Sequence, residues 1–183
     1  MSRAYVFLAD GFEEIEGLTV VDLLRRAKID TTMVSIMETK KVTGSHGIEV
    51  SADGVFAEYD YADAEVLVLP GGMPGTKNLG AHEALCTLLK KHQEAGKLLA
   101  AICAAPSVFG ALGFLNGKEA TCYPGFEDAL AGAKVSTAQV VTDGNIVTAK
   151  GMGATIEFGL ELIRQLTDGE TADQIRDGIM YVG

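Results

Sequence analysis

The chain has 183 residues, 48% hydrophobic and 22% charged, the balance of a globular protein with one full core rather than of a disordered or fibrous chain. Lys and Arg number 15 against 25 Asp and Glu, and the formal charge of −10 opposes phosphate backbones and anionic lipid, so no direct nucleic-acid or membrane partner is expected. No run of about 18 apolar residues occurs, and Met1-Ser2-Arg3 leads into a strand pattern that soon meets Asp10, so neither a spanning helix nor a signal peptide is expected.

Ala4 to Leu8 is a short apolar run broken by Asp10-Gly11. Ile15, Leu18, Val21, Leu24 and Ala27 then follow at helical spacing. Thr31 to Ile36 is β-branched and apolar, a second strand that completes a βαβ unit with a right-handed crossover and starts a parallel sheet. Glu38 to Tyr61, punctuated by Gly44, Gly47 and Gly54, reads as an insertion of small antiparallel strands and turns at a sheet edge. Val66 to Leu69 has the continuous apolar character of a strand covered on both faces, and it stops abruptly in the loop Pro70-Gly-Gly-Met-Pro-Gly75. A helix from Glu83 to Ala95 ended by Gly96, a strand from Leu98 to Ile102, Cys103, and a helix opening at Pro106 come next.

Gln139 to Thr142 and Asn145 to Ala149 flank the hairpin signal Asp143-Gly144. Ala154 to Leu166 has helical spacing, and Thr171 to Met180 reads as a short last helix. With no repeat or linker, residues 1–183 are expected to form one α/β domain with a mostly parallel sheet. Ligands of open α/β sheets bind outside the carboxyl ends of the strands, where the Gly71-Gly72 loop and Cys103 both fall.

Ala101-Ile-Cys103-Ala-Ala105 follows the logic of a nucleophile elbow, in which small residues on either side allow a tight turn that presents the central side chain. A helix start just after the thiol would favour thiolate, so Cys103 is expected to be partly ionised at neutral pH. A cysteine among apolar residues is equally compatible with a small core residue, and the local pattern leaves both readings open. Cys86 and Cys122 lack such a setting and are expected to be packing residues. An odd number of unpaired cysteines points to reduced thiols and a cytoplasmic location.

Other motifs are weaker. His82 and Cys86 are spaced i, i+4 but have no further ligands in reach, so no metal site is expected. Gly151-Met-Gly153 departs from a dinucleotide loop at Ile156, and Gly75-Thr-Lys77 has the wrong order for a P-loop.

Four collinear motifs, Ala100-Ala-Ile-Cys-Ala-Ala-Pro106, Leu69-Pro-Gly-Gly72, Gly11-Phe-Glu-Glu-Ile-Glu16 and Gly151-Met-Gly-Ala-Thr155, resemble the ThiJ/PfpI superfamily, and within it the Parkinson-associated protein deglycase family. The resemblance implies a flavodoxin-like, class I glutamine amidotransferase-like sandwich with helices on both faces, usually a homodimer. It places the family cysteine at Cys103 and its partner carboxylate at Glu16. The oxyanion pocket falls on the backbone of Gly72 and Ala104, with Gly71 in the same loop.

The implied activity is that of a cofactor-independent glyoxalase or deglycase acting on methylglyoxal-type carbonyl compounds or their adducts. The alternative is an oxidative-stress sensor or chaperone working through oxidation of Cys103. A carboxylate beside a thiolate raises the thiol pKa, so Glu16 is expected to help as a protonated group, while Glu13 and Glu14 are expected to be solvated. Two positions depart from the family: Tyr123 stands where a histidine is common, and His46 where an arginine is found. Arg26 matches a family arginine near the dimer contact. Tyr123, Arg26 and His46 are therefore pocket or interface candidates.

Overall fold

The computed structural model describes residues 3–183. In chain order the elements are β1 (Arg3–Leu8), α1 (Glu14–Arg26), β2 (Asp30–Ser35), β3 (Lys41–Thr43), β4 (Glu49–Ser51), β5 (Gly54–Val55), β6 (Val66–Leu69), α2 (Gly75–Ala81), α3 (Glu83–Glu94), β7 (Leu98–Ile102), α4 (Pro106–Ala111), β8 (Glu119–Ala120), β9 (Lys134–Val135), β10 (Val140–Asp143), β11 (Ile146–Ala149), α5 (Thr155–Leu166) and α6 (Gly169–Gly178). The main sheet runs β10-β11-β7-β6-β1-β2-β5 and is parallel except for the β10–β11 hairpin.

Strand alternation builds a core on each face. Ala4, Val6 and Leu8 of β1 join Leu24, Phe158 and Leu162 on the side of α1, α5 and α6. Tyr5, Phe7 and Ala9 turn the other way, to Leu67, Leu79, Leu89 and Phe109 under α2, α3 and α4. Each fully covered Val, Leu or Phe among them stabilises the fold by about 1.5–3 kcal/mol relative to exposure. Gly159 sets how closely α5 meets α1, because a Cβ there would lie 2.5 Å from Leu23 Cδ1.

Three details differ from expectation. The glycine-rich loop after β6 ends in α2, whose first residue is Gly75; the local glycines and proline mask a helix held by Thr76 N–H donating to the Gly72 carbonyl at 2.9 Å. Within the insertion, β3 and β4 pair antiparallel as expected, whereas β5 extends the main sheet by pairing parallel with β2. The short parallel pair β8–β9 was not signalled, each strand being only two residues long.

Counting from β2, the order β2-β1-β6-β7-β11 reverses direction between β1 and β6. The carboxyl ends of β1 and β6 therefore border the crevice where such folds bind ligands. Their loops are laced together: Glu13 N–H donates to Gly71 O at 2.9 Å and Gly75 N–H to Gly11 O at 3.1 Å. Gly72, at φ +89°, lies so close that a Cβ would be 2.3 Å from Glu13 N, which excludes any larger residue.

Candidate active site

Cys103 follows β7 at the neighbouring strand end and takes φ +64°, a left-handed conformation costly for a residue with a side chain. Its N–H donates to Ala149 O at 2.9 Å and its carbonyl accepts from Tyr123 N–H at 2.8 Å, so both flanks pin the turn. Ala104 and Ala105 are buried beside it. The sulfur is only partly covered, with the backbone N–H groups of Gly72 and Ala104 directed at it.

Glu16 enters from the first turn of α1 and is 1% exposed. Its Oε2 accepts the Gly71 N–H at 2.9 Å, while Oε1 is buried with no hydrogen-bond partner among the described residues. A Cβ at Gly71 would lie 2.6 Å from Cys103 Cβ and 2.7 Å from Glu16 Oε2, so thiol and carboxyl flank one spot. Burial pushes the Glu16 pKa up to about 7, against the pull of Cys103 and the Gly71 N–H.

The thiol behaves differently from the sequence expectation. Burial, reinforced by the Glu16 charge, pushes Cys103 up to about 12, and the two backbone donors offset only part of this. The α4 helix after it has six residues, too short for its dipole to outweigh those effects. Cys103 is held toward the thiol form beside a carboxyl group raised toward neutrality, and the charge on either group bears on the other.

The remaining candidates separate. Gly71 is not free to stabilise an oxyanion, because its N–H is held by Glu16. Tyr123 contributes its backbone to the cysteine turn, whereas its half-exposed ring packs over Gly151 and lines a hollow of about 290 Å³ with Pro124 and Met152. Arg26 lies on the last turn of α1 on Asp22 at 2.6 Å, about 15 Å along the helix from Glu16, and takes no part in the site. His82 caps α3 by accepting the Leu85 N–H at 3.0 Å, and Cys86 Sγ rests on Gly80 O at 3.4 Å, so both serve the helix. Cys122 is buried.

His46, at the tip of the β3–β4 hairpin, is tied to the start of α1. Its Nδ1 lies 2.9 Å from Glu14 Oε2 and 3.6 Å from Glu13 Oε2, and its N–H donates to Glu14 Oε1 at 2.8 Å. Glu14 is thus not solvated: it is 4% exposed, and although burial acts to raise its pKa, His46 and the hairpin N–H groups hold it down to about 2. The His46 pKa is raised, chiefly by its hydrogen bond to Glu14. Glu14 was missed because an acid in a first helical turn usually serves the dipole from solvent; the signal available was Gly44, where a Cβ would strike Glu14 Cδ at 2.3 Å.

A cysteine on a strained turn and a buried carboxyl group at the switch point of a flavodoxin-like sheet define a small α/β protein of the nucleophile-elbow type. Residues 2–165 match the model of the DJ-1/PfpI family, and the chain belongs to that family. It is 38% identical over 175 residues to protein DJ-1 homolog B of Arabidopsis thaliana, covering 94% of this chain but only 40% of that longer protein. A protein of Pyrococcus abyssi named a deglycase is 32% identical over 166 residues, which is 90% of this chain and 99% of that one. The solved structure of oxidized Toxoplasma gondii DJ-1 superposes with a TM-score of 0.96 at 35% identity, covering 100% of both chains.

Proposed function

We propose that the protein is a cysteine-dependent glyoxalase or deglycase-like enzyme in which Cys103 is the nucleophile and Glu16 the proton carrier. The observation that carries this reading is the Cys103 thiol held between two backbone donors and a buried carboxyl whose pKa lies near neutrality. A proton acceptor poised near the working pH is what a buried, un-ionised thiol requires at the moment of attack.

With an α-oxoaldehyde such as methylglyoxal, Cys103 Sγ attacks the aldehyde carbon. The S–C bond forms, the carbonyl π pair moves to oxygen, and the thiol proton passes through Glu16 to that oxygen. Gly72 and Ala104 supply N–H donors for the developing alkoxide. The Glu16 carboxylate next takes the proton from the former aldehyde carbon, leaving an enediolate; the hydroxyl proton crosses to the former ketone oxygen, and Glu16 returns its proton to the adjacent carbon to give the thioester of a 2-hydroxy acid. Water then cleaves the S–C bond, releasing hydroxy acid and thiol. One water is added, and the electron pair moves within the substrate.

A second reading, a peroxide-responsive sensor, is favoured by the protonated fraction of Glu16, which can donate to an oxygen on an oxidised Cys103.

The half-exposed Ile15, Ile48 and Met152 line one apolar hollow and support a homodimer built on that rim. Three unpaired cysteines suit a reducing, cytoplasmic setting. Among the described residues no helix is long and apolar enough to cross a membrane.

The test is hydroxy-acid production from methylglyoxal by freshly reduced protein beside Cys103→Ser and Glu16→Gln. Many turnovers by the wild type and a loss of at least about 100-fold in both variants are expected. Consumption of one equivalent followed by arrest would make Cys103 a scavenging or sensing thiol instead.

A further inference from the structure

Three acids crowd the start of α1, and they are not equivalent toward the proton carrier. Glu13 is the N-cap and Glu16 the third helical residue, so the two stand i, i+3 on one face, with Cβ atoms about 5–6 Å apart. Glu14, two residues from Glu16, turns aside under the β3–β4 hairpin. The Glu13 side chain is 15% exposed, so water screens its charge only in part. That charge adds to burial in raising the Glu16 pKa. A like charge at this separation moves a carboxyl group by roughly half a pH unit.

The hairpin brings a cation to the same turn. His46 Nδ1 lies 3.6 Å from Glu13 Oε2 and 2.9 Å from Glu14 Oε2. Ser45 fixes the approach, its Oγ donating to Glu13 Oε2 at 3.3 Å and its N–H to Phe12 O at 2.8 Å. Asp10 is the other acid on the hairpin, accepting the Thr43 N–H at 2.9 Å. Glu16 itself faces the Cys103 thiol and the Gly71 N–H. Among the described residues no lysine or arginine comes within ion-pair distance of Glu13, Glu14 or Glu16. The cation at this turn is therefore one that titrates near neutrality. Its hydrogen bond to Glu14 raises the His46 pKa, so it is charged in the range where Glu16 takes up its proton.

We propose that His46 is a positioning residue for the proton carrier: protonated, it offsets the charge that Glu13 presents to Glu16 and keeps Glu16 in its base form in mild acid. The consequence for turnover rests on Glu16 being the proton carrier, whereas the coupling among the three side chains does not.

The coupling is read by NMR titration of protein carrying carbon-13 at its glutamate carboxyl groups, with Glu16→Gln assigning the Glu16 signal. His46→Gln is expected to move the Glu16 midpoint up by a few tenths of a pH unit, and Glu13→Gln to move it down by about half a unit. Added to Glu13→Gln, His46→Gln should cause less than half the shift it causes alone. His46→Lys, which keeps a charge at the hairpin tip, should restore the wild-type midpoint, a rescue that a merely structural imidazole would not show. The ratio of methylglyoxal turnover at about pH 6 to that at about pH 9 should fall in His46→Gln and rise in Glu13→Gln. A midpoint that stays in place in His46→Gln, or that moves the same way in both single variants, would overturn the proposal. Opposite shifts in a protein that turns nothing over would leave the coupling standing and remove the glyoxalase reading.

Discussion

Gly71 separates Glu16 from Cys103: its N–H donates to Glu16 Oε2 at 2.9 Å, and a methyl group on its Cα would lie 2.6 Å from Cys103 Cβ. The position works only as a glycine, since the added carbon would strike both reacting groups at once. Gly71→Ala is expected to fold with a loss of about 1–3 kcal/mol in urea denaturation and to lose about 100-fold in methylglyoxal turnover through misplacement of the pair. Wild-type turnover in this variant would show that the Cys103–Glu16 geometry is not what drives the reaction.

Much of this relationship is legible in the sequence, though not its electrostatics. The apolar runs of β1, β6 and β7 and the breaks at Asp10, Pro70 and Cys103 place three strand ends side by side, and alternation accounts for the two cores. Choosing Glu16 from Glu13, Glu14 and Glu16 needed the family resemblance, because three acids in one helical turn look alike until the hairpin with Gly44 and His46 folds over one and the Gly71 loop over another. The thiol's elevated pKa was illegible because local sequence shows the helix that favours thiolate and conceals the burial that opposes it.

Glu16→Gln should act in opposite directions on acidity and on turnover. Burial is the main cause of the high Cys103 pKa, and the Glu16 charge is the next. Removing that charge lowers the thiol's pKa below about 12, while burial keeps it above the ordinary cysteine value. Rates of iodoacetamide alkylation followed against pH are expected to reach their inflection at lower pH in Glu16→Gln, even as hydroxy-acid production is lost. An inflection moved to higher pH would mean that Glu16 stabilises the thiolate and is not a base.

The two buried glutamates pull stability in opposite directions. Glu16 has a folded pKa raised from 4.5 to about 7, so its contribution is fully present below pH 4.5 and is lost as pH rises through 7. Glu14 is lowered from 4.5 to about 2, so its contribution is present above 4.5 and is lost as pH falls toward 2. Stability should therefore peak near pH 5. Relative to wild type, Glu16→Gln should gain stability between pH 4 and 8, by an amount on the order of 3 kcal/mol at the upper end. Glu14→Gln should show its largest deficit above pH 5 and converge on wild type in acid. Parallel denaturation curves at every pH would refute both assignments.

The apolar rim offers the last test. Ile15 is 50% exposed, Ile48 55% and Met152 51%, and all three line one hollow of about 220 Å³ with Glu13, Glu14 and His46. A two-fold contact through this rim covers the exposed half of each side chain once on each protomer, so each isoleucine so buried contributes about 1 kcal/mol. Light scattering is expected to give the mass of a dimer for the wild type and of a monomer for Ile48→Lys. Lysine is the informative replacement because it puts a charge into an apolar contact, whereas an acid introduced beside Glu13 and Glu14 would be repelled even in the monomer. As Ile48 is more than half exposed in the single chain, the substitution should change monomer stability by no more than about 0.5 kcal/mol. A wild-type monomer would remove the dimer proposal. A Lys variant that stays dimeric would instead move the interface to another face and leave the hollow open beside α1, where Glu14 and His46 hold the hairpin down.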